Sequence, residues 1–290
     1  MKRTQHVMQF FKCLYCRFRD DDVPALGAQV TYYLILSFFP FLIFMVSLFS
    51  YVQLSGDGVI AEFIRLLPAE TGDTINGIML EVVDNSSGAL LSIGMVATLW
   101  SASNGINAII KGINKAYDVE ENRPFWKVRS ISFAATLVLA VVIMLVMLLL
   151  IFGKVIGGYI FKWMNYPAGF ESIWSFLKYA IPIVAMIGVF SLLFWIVPNR
   201  KLRFKEVVPG ALFTTFGWIV TSLMFQFYIN NFGNYSKTYG SIGSIIVLLI
   251  WLYISSNIII VGGEINATLA AGKMKTPRDN SLRYSFRHPM

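Results

Sequence analysis

Long stretches of this sequence carry almost no charge, and they recur at intervals that a membrane would impose. Apolar residues dominate roughly 24–52, 89–110, 130–153, 178–197, 207–229 and 240–263. A helix crossing a hydrocarbon core needs about 20 such residues at a rise of about 1.5 Å each. Six spans are therefore predicted. The fold class is all-α, a polytopic membrane bundle of six transmembrane helices with amphipathic helices at both surfaces.

Between the spans the pattern becomes periodic. Val59, Ile60, Phe63, Ile64 and Leu67 recur at helical spacing, as do Ile75, Ile78, Met79, Val82 and Val83, and Pro68 separates the two sets. The acidic connection 53–88 is thus expected to hold two amphipathic helices packed on the outer ends of the spans. A lid over a pathway is the sharper alternative. In segment 1–23, Val7, Phe10, Phe11, Leu14 and Phe18 form a stripe flanked by Lys12, Arg17 and Arg19. Such a basic amphipathic helix suits the anionic inner leaflet. Asp20, Asp21 and Asp22 followed by Pro24 read as an ordinary helix start.

Composition excludes a soluble domain: 56% of residues are hydrophobic and 14% charged, against about 25% charged in soluble proteins. The net charge of +8 would suggest nucleic acid in a soluble chain. Here it follows the membrane. Nineteen of the 24 Lys and Arg residues fall in 1–23, 111–129, 200–205 and 271–290. By the positive-inside rule, both termini are cytoplasmic. Residues 24–270 then form the membrane domain and 271–290 a basic cytoplasmic tail. No cleavable signal peptide is expected, because charge continues to Asp22 and no small-residue site follows the first apolar run. The expected partner is the lipid bilayer, with no nucleic acid.

Polar residues at membrane depth mark interior faces. Pro40 interrupts the first span and is a candidate hinge, with Ser37 placed to help satisfy the freed carbonyls. Asn104, Asn107, Lys111 and Asn114 recur at spacings of three and four, so they share one face. Trp100 and Asp118 extend the row. This stripe is read as lining a water-accessible cavity, or as the flank of a helix leaving the membrane. Tyr253, Asn257 and Glu264 also share a face. Glu264 is expected at the inner boundary beside Gly262 and Gly263. It serves there as an anchor paired with a base such as Lys111, or as a gate at the mouth of a pathway. Asn234-Tyr235-Ser236 matches a short glycosylation pattern.

Candidate chemistry is sparse. His6 and His288 are the two histidines, and Cys13 and Cys16 form a CxxC without partners. No nucleophile elbow, phosphate loop or zinc motif is present. No catalytic residue, metal site or cofactor is predicted.

The strings "TYYLILSFFPFLIF", "LWSASNGINAIIKGINKAYDVEENRPFWKVR", "VPNRKLRFKEVVPGAL" and "NNFGNYSKTYGSIGSIIVLLIWLYISSNIIIVGGEINA" together resemble the YihY/BrkB family of bacterial membrane proteins. The resemblance covers roughly residues 20–270 in order. It implies a six-span protein of the bacterial cytoplasmic (inner) membrane. The family's labels include virulence factor, transporter and ribonuclease BN. A metal-dependent nuclease needs clustered His, Asp or Glu ligands, which these residues do not supply. The expected function is transport of a small solute, ion or lipid-like molecule. The alternative is a scaffold or accessory subunit of an envelope process.

Overall fold

The computed structural model describes residues 2–51, 88–163, 167–232 and 241–273. The connection predicted at 53–88, the pattern at Asn234 and the tail beyond residue 273 lie outside the described residues.

Among the described residues there are seven helices and no strand. They are α1 (Lys2–Asp20), α2 (Val23–Tyr51), α3 (Gly88–Ala116), α4 (Phe125–Trp163), α5 (Pro167–Ile196), α6 (Phe204–Phe232) and α7 (Ser241–Lys273). Each of α3 to α7 contains a stretch long and apolar enough to cross a membrane. Within the 29 residues of α2, the apolar stretch is Val23–Phe38. The helices outrun the predicted spans. Helix α4 begins five residues before 130, and α7 continues ten residues past 263. Hydropathy marks where a helix is apolar, but its hydrogen-bond ladder continues wherever good helix formers do.

Helices α2 to α7 close into a ring in chain order, each packing on the next and α7 returning to α2. Helix α3 also touches α7 across the ring, and α1 lies against α7 and α2. Small residues set the seams, as expected where lipid gives helices no hydrophobic reason to associate. Between α2 and α7, a side chain on Gly27 would meet the Asn257 amide. On the next turn, Thr31 Oγ1 is 3.2 Å from Ser256 Oγ. Pro40 sits inside α2. Ser37 donates to the Leu34 carbonyl at 2.7 Å, not to the Leu36 carbonyl that Pro40 leaves without its helical donor.

The core gathers at one end of the ring. Ile106, Ile110, Ile113, Phe194, Val197, Val207 and Ile260 are buried there. That end also holds α1 and both short connections, 117–124 and 197–203. Elsewhere α4 and α5 expose Leu137, Val141, Met144, Phe176 and Val184. So much contiguous apolar surface belongs against lipid, not water.

Candidate functional site

The site begins with how α3 ends. Asp118 is left-handed at φ 52°. The Val119 N–H reaches the Asn114 carbonyl at 2.9 Å, and the Asp118 N–H reaches that of Lys115 at 3.0 Å. This two-bond cap leaves the Ala116 carbonyl open, and Arg17 Nη1 of α1 donates to it at 2.6 Å. The same guanidinium lies 3.6 Å from Asp118 and 3.9 Å from Glu264 of α7. Helices α1, α3 and α7 thus converge on one cation. Glu264 is wholly buried, and among the described residues no N–H or hydroxyl group donates to its oxygens. The buried Asp21 carboxyl lies beside it. At the rim, Lys115 Nζ is 3.1 Å from Asp22.

The cation facing Glu264 is Arg17, not Lys111. Gly112 and Ile113 pack on Ile260 and Gly263 of α7, which turns Lys111 to the exposed side of α3. The rest of the stripe divides among neighbours. Asn104 accepts a bond from Arg129 of α4 at 2.5 Å. Asn107 is half-buried and makes no hydrogen bond among the described residues. Asn114 is buried in a second cluster. Its Nδ2 donates to Glu121 at 2.8 Å, and its Oδ1 accepts from the Asn199 N–H at 2.8 Å. Arg123 chelates Glu121 through Nε and Nη2 and also donates to the Val197 carbonyl at 3.0 Å. The network staples the α3–α4 connection to the α5–α6 connection. Hydrogen bonds from Arg123 hold the Glu121 carboxyl below its ordinary range. Burial pushes the neighbouring Tyr117 phenol up.

On α7, Tyr253 and Asn257 line a groove of about 310 Å³ with Phe18, Pro24 and Phe213. Asn257 Nδ2 donates to the Tyr253 carbonyl at 2.8 Å. The lining of the groove follows α7 from Tyr253 to Val261, with Phe18 of α1 and Pro24 of α2 on the other side. Sequence reasoning missed Asn266. Its Oδ1 accepts the Gly210 N–H at 2.7 Å and its Nδ2 donates to the Val207 carbonyl at 3.0 Å. The signal was there: an amide two residues beyond Glu264, next to a glycine pair. Arg17 was visible as a flank of the amphipathic stripe in 1–23, and Arg129 only as a member of a basic count.

Among the described residues, no three His, Cys, Asp or Glu side chains are grouped to hold a metal ion. The family model described as Virulence factor BrkB matches residues 14–284. The chain belongs to the BrkB family. Its relatives include the ribonuclease-like protein YfkH of Bacillus subtilis, 44% identical over 94% of this chain and 99% of the relative. A UPF0761 membrane protein of Vibrio atlanticus is 26% identical over 90% of this chain and 82% of its own. One from Idiomarina loihiensis is 27% identical over 95% and 96%. No solved structure matches. This BrkB-family protein is thus a multi-pass bacterial membrane protein. The word ribonuclease belongs to the relative's name and carries no evidence of catalysis here.

Proposed function

We propose that this BrkB-family protein is a six-span transporter of a small solute, ion or lipid-like molecule. Both termini are cytoplasmic, α1 closes the inner mouth, and the chain is not an enzyme. One observation carries the reading: Glu264, fully buried, faces a cation that comes from outside the ring. An acid in a span is costly, and such residues commonly mark pathways. Here the compensating charge sits on a separable element. When α1 lifts, Arg17 leaves with it, and water must enter to solvate the carboxylate. Arg17, Lys115, Arg123 and Arg200 to Lys205 all lie at this end, which supports a cytoplasmic side for it by the positive-inside rule. Helix α2, at 29 residues, is long enough to be the sixth span.

A scaffold role is the second reading. A crevice of about 180 Å³ between α3, α4 and α5 is lined by apolar residues such as Ile106, Ile131, Val138 and Leu193, which offer a solute no hydrogen bonds. Reconstitution separates the two. Proteoliposomes holding the full chain are assayed for proton, potassium and labelled-lipid flux, beside Arg17→Gln and Glu264→Gln variants. Transport predicts flux above protein-free vesicles that the variants change several-fold. Flux equal to empty vesicles for every probe and every variant would sink transport and leave the scaffold.

A further inference from the structure

Arg129 stands on the second turn of α4 and faces α3. Its guanidinium carbon is 3.9 Å from the centre of the Trp100 ring and 4.9 Å from that of Phe133. Nη1 is held by Asn104. Nε and Nη2 are buried and have no acceptor. No carboxylate pairs with Arg129 among the described residues. A cation inside the apolar stretch Phe125–Val146 is expensive unless something balances it, and nothing described in the chain does. Lys111 lies on the same face of α3 as Asn104, about 10 Å nearer the helix end at 1.5 Å per residue. Lys111 is exposed, and like Arg129 it has no acid partner among the described residues. Asn107 sits between them with its amide uncommitted. Trp100, stacked on Arg129, is 55% exposed, and Trp126, about one turn before Arg129 on α4, is 78% exposed.

We propose that the α3–α4 groove binds a phosphate-bearing anion through Arg129 and Lys111. The two donors that the protein leaves unused, Nε and Nη2, are adjacent and parallel. That edge of the guanidinium grips two phosphate oxygens at once. Trp100 lies over the flat face of the guanidinium, so the anion approaches that edge in the guanidinium plane, and because both nitrogens are buried the side chains around the edge must part to admit it. The anion is either the headgroup of an inner-leaflet phospholipid or a free phosphate. The exposed indoles sit as they do at a headgroup layer. The site does not depend on the transport reading.

The full chain, purified in neutral detergent, is unfolded by heat while phosphatidylglycerol, phosphatidylcholine or inorganic phosphate is titrated in. A midpoint raised by phosphatidylglycerol and not by phosphatidylcholine supports the site with a lipid ligand. A rise with inorganic phosphate supports it with a soluble one. In either case Arg129→Gln should raise the half-saturating ligand concentration about tenfold, the loss of one bidentate charged contact. Lys111→Gln should raise it several-fold. Lys111 is exposed and makes no contact that the fold needs, so this variant decides the matter even where Arg129→Gln does not fold. The proposal is overturned by no stabilisation from any of the three. It is equally overturned by equal stabilisation from both lipids, or by a response that Lys111→Gln leaves unchanged.

Discussion

At the residue scale, two glycines let α6 and α7 come close together. A side chain on Gly210 would run into the Gly262 carbonyl and the Asn266 amide, and one on Gly262 into Thr214 Oγ1. Gly210→Ala must push α6 off α7 and strain the Asn266 bonds, an overpacking cost of about 1–3 kcal/mol. Gly188, with nothing within 4 Å of an added Cβ, is the control: Gly188→Ala should be neutral or slightly stabilising. Heat unfolding in detergent compares them, and equal midpoints for the two variants would refute the argument. Arg17 and Glu264 make a second case. Arg17→Gln leaves a buried carboxylate without its cation and should cost about 3–5 kcal/mol. Adding Glu264→Gln removes the stranded charge, so the double variant should recover most of that loss. A double variant no more stable than Arg17→Gln alone would mean that the pair is not coupled.

At the element scale, what matters is how the connections hold the helices at the inner end. Glu121 lies in the α3–α4 connection and is chelated by Arg123, which also reaches the α5 end at Val197. Its folded pKa is lowered by those bonds, below an unfolded value of about 4.3. Its stabilising contribution is therefore complete above that unfolded value and is lost as pH falls through the folded one. Glu121→Gln should melt below wild type at neutral pH, and the gap should close on acidification into that window. A gap independent of pH would show that the carboxylate charge is not what stabilises the connection. Glu121 is largely exposed, so the effect is modest.

At the scale of the whole molecule, the ring puts α1 and the end of α7 together, since Arg17 meets Glu264. The ends of the described chain thus lie at the same end of the ring, whichever side of the membrane it faces. Cys13 and Cys16 are exposed on α1 and are the two cysteines of the chain, so they report which side. A membrane-impermeant maleimide should label both in inside-out vesicles and neither in intact spheroplasts. The reverse pattern would overturn the cytoplasmic assignment of this end.

The sequence by itself determined the class of molecule and the helices, because both follow from local quantities. Apolar length decides whether a segment can cross a bilayer, and α3 to α7 were legible on that ground alone. It also singled out Glu264 and Asn114, since a polar group in an apolar helix needs a partner. Which partner was not legible. Glu264 was expected beside a base such as Lys111, but the packing of Gly112 and Ile113 on α7 turned Lys111 outward, and the base that α1 brings in is Arg17, some 250 residues away in sequence. The stripe on α3 read as one surface, yet its members part company: Asn104 meets α4, Asn114 meets the connections, and Lys111 meets neither. Periodicity fixes which side chains share a face. The rotation of each helix against its neighbours decides what that face meets, and this rotation depends on the fit of small residues such as Gly27, Gly210 and Gly262 across the seams. That fit is a property of the ring as a whole, so only the tertiary structure could supply it.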